Sequence, residues 1–70
     1  MKTVKINKEY IELQQLLKLL NYISSGGEAK YYLKENEVYV NDELEDRRGR
    51  KIYPGYTVKI LNDLYKVESK

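Results

Sequence analysis

The spacing of apolar residues changes along the chain and predicts where strands and helices lie. Residues 3–6 alternate polar and apolar side chains at a period of two, which predicts a short opening strand. One helical face, with the spacing i, i+3, i+4 and i+7, is formed by Leu13, Leu16, Leu17 and Leu20. Asn21 tolerates the left-handed conformation that ends helices, so we expect the first helix to end there.

A second helix is predicted over residues 26–35. Ser25 and Glu28 have the spacing of a capping box, in which the side chain of each residue bonds the backbone N–H of the other. Asn36 supplies a stop before residues 38–40, a short β-branched and aromatic strand. The two helices therefore follow one another as a hairpin.

The rest of the chain predicts strands joined by tight turns. Pro54-Gly55 is a type II turn signal, because Pro fixes φ and Gly accepts a positive φ. Residues 57–61 and 65–67 alternate at a period of two and predict two further strands. The order β-α-α-β-β-β predicts one α+β domain over residues 1–70, with the two-helix hairpin packed on a small, mostly antiparallel sheet.

The composition excludes most of the chemistry that small proteins perform. The chain has no Cys and no His, so disulfides, thiolate zinc sites and imidazole catalysis are impossible within it. We expect no enzyme, cofactor, metal or small-molecule substrate. No apolar run approaches the ~18 residues of a membrane span, so we expect a soluble, cytoplasmic protein without membrane contact. Thirteen Lys and Arg against 11 Asp and Glu lean slightly towards a polyanionic partner.

The second predicted helix carries a basic stripe. Lys30 and Lys34 are like charges one helical turn apart, an arrangement that disfavours an isolated helix. They share a face with Gly27 and, at its margin, Tyr31. Charge for phosphates beside a ring for stacking is typical of nucleic-acid-binding surfaces, and Tyr22 and Tyr31 are the tyrosines we expect to be exposed. The alternative is an ordinary solvated helix face with nearby glutamates as counter-charges.

Two adjacent glycines, Gly26 and Gly27, open the same helix, where glycine is unfavourable relative to alanine. Two interpretations account for the absent side chains. Either a phosphate approaches the free N–H groups at the start of the helix, or the first helix crosses close by and needs the space.

All arginines of the chain fall in one short segment, which we call the arginine loop: Arg47, Arg48 and Arg50, followed by Lys51. Arginine pairs bidentately with phosphate or guanine and stacks on bases, which lysine does not. We expect residues 43–51 to form an exposed loop or hairpin edge that serves in recognition. The alternative is local pairing with the acidic residues of the same segment, Glu43, Glu45 and Asp46, which would leave a surface loop of little energetic weight.

Three segments in order resemble a known family: SGGEAK at 25–30, VYVN at 38–41 and YPG at 53–55. The series is similar to the RNA-binding domain of the ribosomal small-subunit protein four type, called the S-four domain or α-L motif, and covers most of the chain. SGGEAK together with the arginine loop is similar to the small stand-alone bacterial members of the YaaA-like subgroup.

The resemblance implies a non-catalytic module that binds structured RNA, such as ribosomal or transfer RNA, with the ribosome or its precursors as partner. The RNA-facing positions that it implies, with the arginine loop, are Lys18, Gly26, Gly27, Lys30, Lys34, Arg47, Arg48, Arg50 and Lys51. Many members begin the first helix with Arg-Leu-Asp and place Arg after the capping Ser, whereas this chain has Glu12-Leu13-Gln14 and Gly26 there. We hypothesise that the arginine loop supplies the displaced charge.

Two other classes of function stay open at this point. A protein-interaction adaptor would dock through the sheet edge or a tyrosine-rich surface. A duplex-DNA binder would use the same charges, although no segment reads as a major-groove recognition helix.

Overall fold

Two short helices and a five-stranded sheet enclose the core in the computed structural model, which describes residues 1–70. The elements are β1 Lys2–Ile6, β2 Ile11–Glu12, α1 Leu13–Leu19, a 3₁₀ turn Gly26–Glu28, α2 Ala29–Glu35, β3 Val38–Val40, β4 Glu43–Leu44, β5 Lys51–Ile52, β6 Thr57–Ile60 and β7 Asp63–Ser69. The predicted α+β class with a helix hairpin on a sheet is confirmed. No helix is both long and apolar enough to cross a membrane.

The sheet is antiparallel except at one edge. Its strand order is β1-β7-β6-β3-β4, and only β1 and β7 run parallel. That pair extends in register from Lys2 opposite Tyr65 to Ile6 opposite Ser69. A separate two-stranded ribbon joins β2 to β5, with Ile11 opposite Ile52. The mostly antiparallel sheet is as predicted, and the ribbon is an addition to it.

The core is built from one face of the sheet and one stripe of the helices. Alternate residues of β1, β3, β6 and β7 are buried, as the period of two requires. From α1, Leu13, Leu16 and Leu17 are fully buried, while Leu20 packs against the core from its edge. The leucine stripe therefore fixes which face of α1 meets the sheet.

The helix ends are partly as predicted. Asn21 has φ 66°, so it ends the first helix in the left-handed conformation. The second helix begins later than expected, because the two glycines and Glu28 form a 3₁₀ turn. The predicted capping box is wrong: the Ser25 side chain makes no capping hydrogen bond, and Glu28 Oε1 instead accepts the backbone N–H of Ser24 at 3.0 Å. Because the 3₁₀ turn is tighter than an α-helical turn, the Glu28 carboxylate reaches the N–H of Ser24 instead of the expected N–H of Ser25.

The tyrosines divide differently from our expectation. Tyr31 is 63% exposed, as predicted. Tyr22 is half-buried instead, since its hydroxyl donates to Asp63 Oδ2 at 3.2 Å and lies 2.7 Å from the Tyr65 hydroxyl. Burial and these two neighbours raise the pKa of Tyr22 well above its usual range. Tyr22 thus joins the segment that follows α1 to β7 through its hydroxyl.

Tyr32 packs beside Tyr22, and its buried hydroxyl makes no hydrogen bond within the protein. We expect Tyr32→Phe to raise the free energy of unfolding by about 1 kcal/mol, because it removes a polar group whose burial is uncompensated. Tyr22→Phe is the matched control and should lower it by about 1 kcal/mol, because two hydrogen bonds are lost. Urea denaturation of both variants measures the difference, and a Tyr32→Phe protein less stable than wild type would contradict this assignment.

Candidate nucleic-acid interface

The arginine loop is organised by a buried carboxylate. Glu45 is only 5% exposed although it lies in the most charged stretch of the chain. Its Oε2 accepts the backbone N–H of Arg47 at 3.0 Å and Arg47 Nε at 2.9 Å. Its Oε1 accepts Arg47 Nη2 at 3.1 Å and Arg50 Nη1 at 2.7 Å. One side chain therefore holds both ends of the turn formed by residues 47–50.

These contacts keep Glu45 ionised. The hydrogen bonds from Arg47 outweigh the opposing effect of burial and, with the bond from Arg50, lower the pKa of Glu45 to about 2. Its backbone N–H also donates to the Val38 carbonyl at 2.8 Å, which anchors the start of the loop beside β3. The loop is thus held by charge-assisted hydrogen bonds.

The far end of the loop is fixed to α1 by backbone hydrogen bonds. The Leu13 N–H donates to the Arg50 carbonyl at 2.8 Å, and the Gln14 N–H donates to the Arg48 carbonyl at 2.9 Å. The first N–H groups of a helix lack partners within it, so the loop caps α1 with its own carbonyls. The Glu12 N–H is satisfied separately by Gln15 Oε1 at 3.0 Å. Backbone positions 48 and 50 are consequently set by α1.

Three of the predicted site residues come together in one groove. Lys30 and Lys34 of α2 face Arg48 of the loop across a groove of about 510 Å³. None of the three cations is in an ion pair, because the three ion pairs of the protein use Lys2, Arg47 and Arg50. The Lys30 ammonium lies 6.0 Å from the centre of the exposed Tyr31 ring. We call this the α2 groove.

The α2 groove also carries negative charge. Its acidic lining residues are Glu35, Glu37, Glu45 and Asp46. Of these, Glu45 is already neutralised by the two arginines that it binds. The groove is therefore of mixed sign, with three cations that are free to bind an anion.

The remaining predicted cations lie elsewhere. Arg47 and Arg50 pair locally with Glu45, as the alternative expects, but that carboxylate is buried and the loop is not a weakly held surface segment; Arg48 makes no ion pair. Lys18 lines a second groove between β1 and α1. The Lys51 ammonium lies 5.0 Å from the centre of the Tyr10 ring. The predicted cations therefore occupy more than one part of the surface.

The two glycines have different environments. A Cβ on Gly26 would lie 3.2 Å from Gln14 Oε1 of α1, so a side chain at this position requires the Gln14 side chain to shift. A Cβ on Gly27 would meet only Ser25 Oγ at 3.9 Å. Neither residue has a positive φ. Packing against α1 therefore disfavours a side chain at Gly26 through the Gln14 contact, and Gly27 has no steric requirement.

Gly27→Ala should raise the free energy of unfolding by about 0.5 kcal/mol, because it restricts the unfolded chain and introduces no clash. Gly26→Ala should bring no gain, since Gln14 has to move away from the new methyl group. Thermal unfolding of the two variants makes the comparison. Equal effects would show that the contact between Gly26 and Gln14 is unimportant.

Glu45 is the residue that sequence reasoning missed. The sequence presents it, with Glu43 and Asp46, as one of three equivalent counter-charges. The available signal was its spacing of two and five residues from Arg47 and Arg50, which places it just before the turn that carries them. Burial of one carboxylate among exposed acids is a tertiary property, because it depends on the position of β3.

The hairpin, the sheet order and the glycine-containing turn define an S4 domain built on the α-L motif. The family model of the S4 domain matches residues 4–68, and the chain belongs to this family. The resemblance to the S-four domain is confirmed.

Two curated relatives and one solved structure are similar to the chain. It is 54% identical over 57 residues to the probable ribosome maturation protein RlbA of Bacillus subtilis (strain 168), covering 81% of this chain and 80% of that protein. It is 39% identical over 59 residues to the putative RNA-binding protein YbcJ of Escherichia coli (strain K12), covering 83% and 84%. The solution structure of E. coli YbcJ, found to contain an α-L motif involved in RNA binding, matches with a TM-score of 0.69 and 35% identity over 97% of this chain and 87% of that one.

Proposed function

We propose that this protein is a non-catalytic module that binds structured RNA, ribosomal or transfer RNA, through the α2 groove and the arginine loop. The observation that carries the proposal is the meeting of Lys30, Lys34 and Arg48, all free of ion pairs, in one groove of an α-L fold. The names of RlbA and YbcJ, a probable ribosome maturation protein and a putative RNA-binding protein, support it.

Phosphate contacts would supply most of the affinity. Lys30 and Lys34 are one turn apart on α2, so their ammonium groups follow a stretch of backbone, and Arg48 offers a planar fork to a phosphate from the opposite wall. Tyr31 has an exposed ring beside Lys30 on which an unpaired base stacks. The carboxylates of the same groove repel phosphate and so restrict where the backbone enters.

Glu45 has a positioning role in this proposal. It binds Arg47 through Nε and Nη2, yet the Arg47 side chain remains 70% exposed and keeps Nη1 free to donate. Arg50 is more enclosed and lies 5.9 Å from the centre of the Tyr56 ring. We assign to Arg47 a phosphate contact that contributes less affinity than those of Lys30, Lys34 and Arg48. Arg50 mainly holds the loop in place.

The full set of RNA-facing residues that we propose is Lys18, Gly26, Gly27, Lys30, Lys34, Arg47, Arg48, Arg50 and Lys51. Within it, Lys30, Lys34 and Arg48 form the centre. The ribosome or one of its precursors is the proposed partner, and the cytoplasm is the proposed location. The similarity to RlbA, a probable ribosome maturation protein, supports a role in ribosome maturation.

An adaptor that docks a partner protein is the second candidate. The outer sheet face and its turns carry Leu44, Leu61 and Leu64, which are all exposed. Leu44 lies on the edge strand β4, opposite Tyr39 of β3. A pull-down that survives nuclease treatment would favour this function, whereas loss of captured material on nuclease treatment would favour RNA binding.

The charge-removing variant Lys30→Gln/Lys34→Gln/Arg48→Gln tests the RNA-binding proposal. Its affinity for a structured ribosomal RNA fragment should fall at least tenfold at 150 mM salt. The slope of log K against log salt should become shallower by about 2, because each lost phosphate contact removes about 0.7–0.9. Fluorescence anisotropy over a salt series measures both quantities.

The matched control is Lys2→Gln/Lys59→Gln/Lys66→Gln, which removes the same charge from the rest of the sheet surface. Its affinity should fall less than threefold. Equal losses of RNA affinity in the two variants would show that only net charge matters. Unchanged affinity in the variant of Lys30, Lys34 and Arg48 would show that the α2 groove is not part of the binding site. Circular dichroism checks that both variants are folded.

A further inference from the structure

A second groove, of about 590 Å³, lies between β1 and α1, and every charged side chain that lines it is positive. The four lysines are Lys5, Lys8, Lys18 and Lys70. Ile6, Ile11 and the 55% exposed Leu19 supply its apolar surface. We call it the lysine groove. It differs from the α2 groove, whose lining includes four acidic residues.

The lysines of this groove make no ion pair within the protein, and the nearest acidic strand partner is Glu68, opposite Lys5 in the pairing of β1 with β7. The three ion pairs of the protein involve none of them. Acidic Glu9 and Glu12 line a small adjoining depression, which shares Lys8, Tyr10 and Gln15 with the lysine groove. Four ammonium groups around one concavity repel each other, and an incoming polyanion relieves that repulsion. The arrangement fits a ligand that carries several negative charges in a row.

The lysine groove is linked to the arginine loop through an aromatic residue. Tyr10 lines the groove, and its ring centre lies 5.0 Å from the Lys51 ammonium and 5.7 Å from the Tyr53 ring centre. Lys51 directly follows Arg50 in the loop. Tyr10 therefore joins Lys51 at the end of the loop to the groove, with Glu12 as the strand partner of Lys51.

We propose that the lysine groove binds a second segment of RNA backbone, separate from the segment held in the α2 groove. This inference rests on the proposed function, because it takes RNA as the polyanion. Lys5, Lys8, Lys18 and Lys70 contact phosphates, and Tyr10 and Leu19 provide apolar surface for a ribose or base at the groove mouth. Lys18 does not line the α2 groove, and this proposal places its phosphate contact in the lysine groove.

Two grooves on one small domain select for folded RNA. The principal-axis extents of the protein are 30 × 22 × 17 Å, so the two grooves lie within about 30 Å of each other. A folded RNA holds two such segments in fixed relation, and binding of the first raises the effective concentration of the second. A short single strand fills one groove at a time and gains nothing from the other. Preference for structured RNA then follows from geometry, with no base-specific contact required.

The double variant Lys8→Gln/Lys18→Gln tests the inference. Its affinity for a structured ribosomal RNA fragment should fall about fivefold to tenfold, and its salt slope should become shallower by about 1.5. Binding of a six-nucleotide single strand should change less than twofold. The matched control is Lys2→Gln/Lys59→Gln, which removes the same charge away from both grooves and should change affinity for the structured fragment less than twofold.

The outcomes separate this inference from the proposed function. If Lys8→Gln/Lys18→Gln matches its control while the variant of Lys30, Lys34 and Arg48 loses binding, the second segment is refuted and the proposed function stands. If both variants retain wild-type affinity, the proposed function itself fails. Titration with inorganic pyrophosphate, followed by amide shifts of Lys8 and Lys18, tests for a small-anion site. Saturation by pyrophosphate without any loss of RNA affinity in the double variant would also overturn the inference.

Discussion

Glu45→Gln should lower the free energy of unfolding by about 3 kcal/mol at neutral pH. The substitution keeps the shape of the side chain but removes the charge that Arg47 and Arg50 bind through three side-chain hydrogen bonds. An amide also presents two donors to the surrounding arginine N–H groups, so part of the network is lost outright. The effect should reach α1, because the loop carbonyls that cap Leu13 and Gln14 lose their support.

Two measurements locate that effect. Urea denaturation gives the change in unfolding free energy, and amide hydrogen exchange should show faster exchange at Leu13 and Gln14. Glu43→Gln is the matched control, since Glu43 is exposed and its side chain makes no hydrogen bond or ion pair within the protein. It should change stability by less than 0.5 kcal/mol. A Glu45→Gln protein as stable as this control would show that the Glu45 network contributes nothing to the fold.

Acid should remove the same stabilisation. The pKa of Glu45 is about 2 in the folded protein against an ordinary value of 4.5, so the unfolded chain takes up this proton first. The stabilisation from Glu45 is therefore fully present above about pH 4.5 and is lost progressively as the pH falls towards 2. A difference of this size corresponds to about 3 kcal/mol, the same loss that Glu45→Gln imposes at neutral pH.

Comparison with Glu45→Gln isolates this residue from the other carboxylates. The difference in unfolding free energy between wild type and the variant should be about 3 kcal/mol at pH 6 and should shrink towards zero near pH 2. Chemical denaturation at a series of pH values provides the curve. A difference that stays constant between pH 5 and pH 2 would mean that Glu45 has an ordinary pKa in the folded state.

Local pattern was enough for the helices and for the main antiparallel strands. The leucine stripe of α1 and the alternation in β6 and β7 each record which face of an element meets the core. The strand bounds were less accurate: β6 ends at Ile60 because Leu61 turns into the left-handed region with φ 56°. β7 extends to Ser69 because it pairs on both sides, with β6 and with β1. The local sequence pattern therefore predicts which residues are buried, but it does not predict which strands pair.

The sequence predicted only the part of the candidate site whose residues lie on a single helix. Lys30 and Lys34 follow from the period of α2, and the structure keeps them on one groove wall. The arrival of Arg48 opposite them depends on the hydrogen bonds that fix the loop to α1. Nothing in the sequence distinguishes Lys18 of α1 from Lys30 and Lys34 of α2, yet Lys18 lies in a different groove. Residues on two helices share one surface only when the packing angle of the helices brings their faces together.

The parallel pairing of β1 with β7 means that the sheet cannot be completed until nearly the whole chain has been made. Lys2 and Tyr65 are sheet partners, although nearly the whole chain separates them. At ~5–20 residues per second, the ribosome needs about 3–13 s to make the intervening chain. During that time Val4 and Ile6, which the finished core covers, have no strand to lie against. Lys2 and Lys5 alternate with these apolar residues, and their charges disfavour pairing of the unpartnered β1 segment with other chains.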